Sequence, residues 1–479
     1  MSLITRNIIN KNILFCDYDS KYKKTEYGYK HLSKRIDFFK NFLIDQGCKR
    51  GDSILIGYAV GLDQTSAFFA ASELGLVIIV ADYKVLDNEE YVGFLDTKTK
   101  ILMPIKYFLF REHHDAPEDF VNFKLQFYNQ VCETVIKSKQ IEEYSNYEPN
   151  DTIWAKESDI LMRCTSSGTT GTPKKVTHTH EFLHNISKRN SIFFDNEVTL
   201  LWNLNHGSSL ATYFVPALMS DNVTNFNNAI KELQDTPEAI LPLKDALKNS
   251  NHVMIPYPET IERFIEVFEF PELTYYTLSP ISNKIRNGLS NGRCKDIISF
   301  FGSNETSGPV LINKASYDNF EVDVYHKVDD YYDIEEIDTL TVRLKEYGIS
   351  INTQDTFEKK DETSLTFKGR KNLMRVNGLE VFRAYNDLID FDADLIYDSV
   401  YNEIYLAAWM RFGKKEFEEY VLAEKIKEIN EKMSNMSGGS HKISKFKFLK
   451  RYQFTLGVKI DHEFLRSYFR ERVENNVEV

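Results

Sequence analysis

The sequence predicts an α/β fold of parallel-type sheets with crossover helices, followed by a smaller α+β unit. Three observations carry this reading. Helical and strand periodicities alternate through residues 28–82, the alternation returns at 200–220, 252–270 and 273–302, and its character changes around 340–370. Tyr29 to Gln46 places apolar residues at helical spacing, and Gly47 follows as a C-cap. Gly51-Asp52 marks a turn before the strand Ser53 to Tyr58. Gln64 to Leu74 reads as a second helix closed by Gly75, and Leu76 to Val80 as a wholly apolar strand. Strand, helix and strand in this order build a parallel sheet.

Around 340–370 the short runs Thr339 to Arg343 and Ser364 to Phe367 read as antiparallel strands joined by turns. Beyond Arg370, Arg375 to Val381, Leu395 to Tyr397 and Ile404 to Trp409 are strand-like. Glu416 to Met433 reads as a charged helix, Ser434 to Ser440 as a Ser/Gly-rich loop, and Ile460 to Val473 as a terminal helix with apolar positions at i, i+3 and i+4. A domain boundary is expected near 370–373, and no repeat of 20–50 residues is visible.

Composition narrows the classes of function. The chain has 479 residues, 42% hydrophobic and 27% charged, which is enough for a large core in more than one domain. A net charge of -12 argues against a broad nucleic-acid surface, because neutralising phosphates needs clustered Lys and Arg. Cys16, Cys48, Cys132, Cys164 and Cys294 are scattered without metal-ligand spacing, which reads as reduced and cytoplasmic. Cys164 adjoins the most informative loop, yet a thiol at a strand end reads as packing. Met1 to Asn12 lacks the apolar core of a secretory signal. The longest apolar runs, Leu76 to Ala81 and Ile404 to Met410, fall far short of the roughly 20 residues that span a bilayer.

The strongest local signal runs from Arg163 to Val176. From Thr165 to Lys174 every residue except Pro173 is Ser, Thr, Gly or Lys, and the segment follows the apolar Ile160-Leu161-Met162. Glycines admit close approach to a polyphosphate, hydroxyls and amides donate hydrogen bonds, and Lys174 supplies positive charge. It is not a Walker A loop, which needs Gly before the lysine and Ser or Thr after it; Pro173 and Lys175 stand there. Read alone, the segment is either a phosphate cradle or a flexible surface loop.

The segment resembles the phosphate loop of the adenylate-forming superfamily of acyl-CoA synthetases, peptide-synthetase adenylation domains and luciferases. Ser166, Ser167, Gly168, Thr169, Thr170, Gly171, Pro173, Lys174, Val176, Thr179 and His180 match its pattern, and Lys175 replaces a usual glycine. Four further segments resemble the family's landmarks in order. Phe301-Gly302-Ser303-Asn304-Glu305 resembles the Y-G-x-T-E element, which implies an aromatic against adenine, a contact from Asn304 to the α-phosphate and Mg²⁺ on Glu305. Thr353-Gln354-Asp355 resembles T-G-D and implies Asp355 at the ribose hydroxyls, with Gln354 where the family has glycine. Gly369-Arg370 and the stretch to Val381 resemble the hinge, one residue short and with Asn372 at the expected hinge position; Arg370 is implied at the ribose. Thr455 to Asp461 resembles the C-terminal lysine element, with Gly457 displaced by one, and makes Lys459 the catalytic lysine.

The resemblance covers essentially the whole chain. It implies a large N-terminal adenylation domain at 1–371 with a small β-barrel-like part, and a small mobile α+β C-terminal domain at 372–479. It also implies that Thr277 and Ser279 border the nucleotide, and that His206, Gly207, Ser208 and Phe300 contribute to the acid pocket. The expected activity is ATP-dependent formation of acyl-AMP from a small carboxylic acid, then transfer to a thiol. ATP and Mg²⁺ are the implied cofactors, with Lys459, Glu305 and Lys174 as catalytic residues. CoA is the leading acceptor, because His206-Gly207-Ser208 resembles acyl-activating members and no aspartate stands in 203–212. The phosphopantetheine of a carrier protein is the alternative acceptor, and a non-catalytic relative that binds ATP or acyl-AMP is the alternative from another class. No K-x-D-G motif of nucleic-acid ligases is present.

Overall fold

The computed structural model describes residues 3–9, 11–18, 23–57, 61–80, 105–111, 132–138, 149–165, 175–194, 197–201, 210–221, 224–227, 240–248, 250–255, 272–277, 295–316, 321, 323–370, 375–376, 379–380, 385, 388–389, 393–398, 400–409, 419–449, 455–456, 459–460 and 462–473. These fall into two compact units, the second beginning at Glu321.

The first unit holds strands β1 (Ile13–Tyr18), β2 (Lys24–Gly28), β3 (Ser53–Gly57), β4 (Val77–Val80), β5 (Ile105–Arg111), β6 (Cys132–Ser138), β7 (Ile160–Thr165), β8 (Lys175–Thr179), β9 (Val198–Leu201), β10 (Thr224–Asn227), β11 (His252–Met254), β12 (Thr274–Thr277), β13 (Asp296–Ser303) and β14 (Gly308–Ser316). Its helices are α1 (Tyr29–Asp45), α2 (Leu62–Glu73), α3 (His180–Asn190), α4 (Val215–Met219) and α5 (Ile240–Lys248). One sheet runs β6-β5-β3-β4-β7-β8 and is parallel except at β7–β8. Another contains the run β14-β13-β12-β11-β9-β10-β1-β2, in which only β14 and β2 lie antiparallel to their neighbours. The parallel sheet expected from the sequence is therefore present. The buried Val77-Ile-Ile-Val80 run shows why, since strands of parallel sheets covered on both faces need no polar side.

Helix α2 is buried all round, so its polar residues need partners inside. Asp63 takes a 2.6 Å ion pair from Arg35 of α1, and Ser66 Oγ donates to Leu62 O at 2.6 Å. Glu73 at the helix end is 1% exposed and faces Lys40, which has no exposure, at 2.6 Å. Arg6 donates to Glu73 through its backbone N at 3.0 Å and its Nε at 3.2 Å, and its Nη1 lies 2.6 Å from Asp37. Two cations thus meet two anions. Asn150 O accepts the spare donors, from Lys40 Nζ at 2.7 Å and Arg6 Nη2 at 2.9 Å.

In the second unit, β15 (Val324–Lys327), β16 (Tyr332–Glu336), β17 (Thr341–Leu344), β18 (Ile349–Asn352), β19 (Asp355–Lys359) and β20 (Ser364–Arg370) pair antiparallel, as β16-β17-β18 and as β19-β20-β15. Short ladders join β21 (Arg375–Val376) to β22 (Leu379–Glu380). A further sheet runs β23 (Ala393–Asp398), β24 (Glu403–Trp409) and β25 (Ile443–Leu449), with α6 (Glu419–Ser437) as the crossover that makes β24 and β25 parallel. Alternation along β24 divides its core. Ile404, Leu406 and Ala408 pack with Leu422, Ile426, Ile429 and Met433 of α6. Tyr405 and Ala407 pack with Leu465 and Phe469 of α7 (His462–Arg472). Burial alone would raise the fully buried Asp398, but the hydrogen bonds from Arg470 of α7, Val400 N and Tyr405, with the Arg470 charge, together outweigh it and hold the carboxyl below its usual range.

One boundary differs from the sequence reading: α6 continues into the stretch expected as loop. Met433 is fully buried and Ser437 Oγ donates to its carbonyl at 2.7 Å, so the helix runs to Ser437 and stops at Gly438, whose φ of 64° only glycine adopts freely. Among the described residues no helix is long and apolar enough to cross a membrane.

Removing one member of a fully buried ion pair leaves the other unpaired, at a cost of about 3–5 kcal/mol. Lys40→Met is expected to lower unfolding stability by about that amount in urea denaturation, and Lys40→Met with Glu73→Leu to lose less than the single variant.

Candidate active site

The candidate phosphate loop is the connection of the β7–β8 hairpin. Leu161, Met162 and Cys164 of β7 are buried, and Thr165 pairs with Lys175 across the hairpin, so both ends of the loop are held. Ser166, Ser167, Gly168, Thr169, Thr170, Gly171 and Lys174 lie outside the described residues. The chain leaves β8 directly into α3, where Thr179 Oγ1 accepts from Phe182 N at 3.2 Å as the N-cap. Burial, and then the negative charge of Glu305, pushes the Cys164 thiol up to about 12. That thiol is an inert packing group.

The second element is the turn between β13 and β14. Ser303 N donates to Thr306 Oγ1 at 2.8 Å and Thr306 N donates back to Ser303 Oγ at 3.3 Å, a reciprocal brace around Asn304 and Glu305. The pairing register slips between Phe301 and Gly302, and a β-carbon on Gly302 would lie 2.3 Å from Gly308 O. Only glycine fits there. Asn304 is 7% exposed, whereas Glu305 beside it is half-buried.

Two residues join these elements from the α3 side. His178 of β8 is 4% exposed and stacks on Phe182, with ring centroids 4.9 Å apart and an 11° interplanar angle. Its Nε2 lies 2.9 Å from Asn304 O and 2.8 Å from Ser307 Oγ, whose hydroxyl donates to the same carbonyl at 3.1 Å. A carbonyl oxygen only accepts, so the imidazole proton sits on Nε2. At the far end of α3, Asn190 Nδ2 donates to Ala211 O at 2.9 Å and to Ser307 O at 3.4 Å. Sequence reasoning missed both residues, because nothing local indicates a partner more than a hundred positions away.

The neighbouring strands place other candidates. β9, β11, β12 and β13 are mutually parallel, and ligands of such sheets sit beyond the carboxyl ends of their strands. Thr277 ends β12, and Phe301, Gly302 and Ser303 end β13. Phe300 is 1% exposed and packs against Phe193 at 4.9 Å, Tyr213 at 5.7 Å and Tyr276 at 6.1 Å. Phe301 points to the opposite face and is also buried, at 8%. His206, Gly207, Ser208 and Ser279 lie outside the described residues.

In the second unit, Asp355 on β19 is paired with Arg370 on β20. Asp355 is buried, and its backbone N donates to Thr353 Oγ1 at 3.2 Å. Gln354 takes the left-handed φ of 63° that a glycine would adopt without strain. Asn352 Oδ1 offsets that strain by accepting from Gln354 N at 3.0 Å and Nε2 at 2.6 Å. The substitution therefore keeps the turn. Lys459 pairs with Leu456 in the hairpin of β26 (Thr455–Leu456) and β27 (Lys459–Ile460).

A family model described as an AMP-binding enzyme matches residues 10–328. No curated protein gives a significant match. Among solved structures, McyG A-PCP complexed with phenylalanyl-adenylate aligns at a TM-score of 0.69 and 16% identity, over 98% of this chain and 96% of that one. A structure from work on fatty acyl-adenylate ligases of E. coli and L. pneumophila aligns at 0.70 and 13%, over 96% and 95%. A benzoate CoA ligase from Burkholderia xenovorans aligns at 0.64 and 15%, over 92% and 94%. At these identities the likeness is one of fold.

Burial holds His178 and His180 at a pKa of about 4, below the ordinary 6.5, so both are neutral at pH 7. With depressed folded values, their contribution to stability is complete above about pH 6.5 and is lost as pH falls toward 4. Lowering the pH from 7 to 5 is expected to cost about 2 kcal/mol per histidine. His178→Gln keeps a donor without the titration, so the loss measured by urea denaturation at the two pH values should shrink by about that amount.

Proposed function

The chain belongs to the AMP-binding enzyme family, and from that membership we propose that it activates a carboxylic acid as acyl-AMP, releasing pyrophosphate from ATP, and passes the acyl group to the thiol of CoA. The observation that carries the reading is the direct contact of two motifs 126 residues apart: the strand closing the candidate phosphate loop holds the turn that bears Glu305. A phosphate-binding segment beside a carboxylate is what a nucleotide-activating site requires.

The carboxylate oxygen attacks the α-phosphorus, and the bond from that phosphorus to the bridging oxygen of pyrophosphate breaks, leaving the acid on AMP. Charge spreads over the phosphoryl oxygens in the transition state, so fixed cations and donors lower the barrier. Lys459 would bridge the acid and the α-phosphate, while Lys174 and the hydroxyls and amides of Ser166, Ser167, Gly168, Thr169, Thr170 and Gly171 hold the departing pyrophosphate. Asp355 and Arg370 hold the ribose hydroxyls; their cross-strand pairing is consistent with a joint role. Phe301, Gly302, Ser303 and Asn304 serve adenine and the α-phosphate, with Thr277 and Ser279 at the nucleotide's border. His206, Gly207, Ser208 and Phe300 shape the acid pocket.

Glu305 fits Mg²⁺. It is a half-buried, hard carboxylate on the turn tied to the strand that closes the candidate phosphate loop, and Mg²⁺ binds through one or two carboxylates together with substrate phosphates. When bound, the ion neutralises developing phosphate charge. We further propose residues 1–371 as the adenylation domain, residues 372–479 as the small domain carrying Lys459, and the cytoplasm as the place of action.

The test is carboxylate-dependent pyrophosphate release from ATP across short, fatty, aryl and amino acids, with and without CoA. Release with one acid class, faster with CoA, is the expected result. Release indifferent to CoA would move the acceptor to a carrier-protein phosphopantetheine, and no release with any acid would overturn the reading. Lys459→Ala is expected to lower acid-dependent pyrophosphate release by about 10²–10³-fold while transfer from preformed acyl-AMP to CoA is retained.

A further inference from the structure

We propose that His178 is a positioning residue for Glu305, setting the orientation of its carboxylate toward Mg²⁺-ATP from the strand that closes the phosphate loop. The inference rests on the assignment of Glu305 to Mg²⁺ made above.

The argument begins with the peptide bond. Asn304 C=O and Glu305 N–H belong to one planar group, so fixing the carbonyl direction fixes where the Glu305 Cα lies and the direction in which its side chain departs. His178 Nε2 fixes that carbonyl at 2.9 Å, and the Ser307 hydroxyl holds it from within the turn at 3.1 Å. The imidazole has little freedom of its own. It is buried, it stacks on Phe182, and α3 starts two residues further on with its cap in place. In such surroundings a hydrogen bond is stronger than in water, and an unpartnered carbonyl is costly. The turn is held at its other end too, through Asn190 and Ser307 O.

His178 is three positions past Lys175, whose partner Thr165 is the last residue before the loop. The strand that closes the loop is thus tied to the turn that bears Glu305. A side chain that orients a metal ligand without touching the metal is worth roughly 10–100-fold in metal affinity. Nothing in the resemblance to the superfamily's motif assigns this position a role, because the pattern there specifies Val176, Thr179 and His180 and leaves 178 open.

The experiment compares wild type, His178→Met and His178→Gln. Met fills the space without a donor, whereas Gln can place an amide N–H where Nε2 stands. Binding of a non-hydrolysable ATP analogue is measured by calorimetry over a series of Mg²⁺ concentrations, with thermal melts of each protein and acid-dependent pyrophosphate release measured alongside. His178→Met is expected to need about tenfold more Mg²⁺ for half-maximal binding, with affinity for the metal-free analogue unchanged, and His178→Gln to return close to wild type. A merely structural role would lower the melting temperature of His178→Met and leave the Mg²⁺ dependence where it was; that result overturns the proposal. Should His178→Met not fold, Ser307→Ala removes the second donor to the Asn304 carbonyl while keeping the imidazole. The same direction of shift is then expected, and its absence counts against the proposal. Wild-type protein that binds the analogue without any Mg²⁺ dependence would remove Glu305 from the metal and this proposal with it, whereas Mg²⁺-dependent binding without pyrophosphate release would fault only the proposed reaction.

Discussion

A carboxylate almost wholly shut off from water must be neutralised where it stands, and Glu73 organises the first unit by that requirement. It draws Lys40 from α1 and Arg6 from the N-terminal segment, and its backbone carbonyl accepts from Trp154 N at 2.9 Å and Ala155 N at 3.2 Å. Three separate stretches of chain converge on the end of one helix. The last of them leads straight into β7, the strand from which the candidate phosphate loop departs. Asp159 at that approach is gripped by Arg50, with Nε at 2.7 Å, and this hydrogen bond holds the carboxyl below its usual range. The register of β7 beside β4 is thus tied to ion pairs far from any nucleotide chemistry.

The candidate site shows the same economy. Neither the phosphate-loop hairpin nor the Glu305 turn is a large apolar structure, and each borrows rigidity from α3. One end of that helix is continuous with β8, and its other end presents Asn190, against which Gly308 is pressed so closely that a β-carbon there would come within 2.7 Å of Asn190 Nδ2. A single short helix thereby spaces the hairpin, the turn and the Leu210–Phe214 segment that follows the acid-pocket candidates. In the second unit the cross-strand pairing of Asp355 with Arg370 needs no such strut, because the β19–β20 ladder itself sets the spacing.

Much of this was legible in the sequence where the signal is local. The helix at Tyr29, the apolar strand ending at Val80 and the charged helix α6 follow from periodicity that a short window contains. The candidate phosphate loop and its companions stand in the sequence as residue types in order, and 166–174 and the side chain of Lys459 lie outside the described residues. What was not legible depends on partners distant in sequence. His178 reads locally as one of two histidines in a Thr-His-Thr-His run, and the carbonyl it holds lies 126 positions away. Gln354 looked like a departure from a glycine that the turn required. The compensation comes from the exposed Asn352, whose Oδ1 accepts from Gln354 N and Nε2 at the β18–β19 corner. The end of α6 escaped for a related reason, since Ser and Gly content pointed to a loop while the burial of Met433 extended the helix.

Lys175, which interrupts the family's usual glycine, has a further consequence that follows from its strand. Among the described residues β8 is the last member of its sheet, and the edge of a sheet is a template for pairing with another chain. Its side chains alternate, with Val176 and His178 inward and Lys175 and Thr177 exposed. A charged, hydrated lysine at the head of such an edge makes strand-to-strand stacking between copies unfavourable. The residue that most weakens the match to the phosphate-loop pattern is thus suited to keep this border from seeding aggregation.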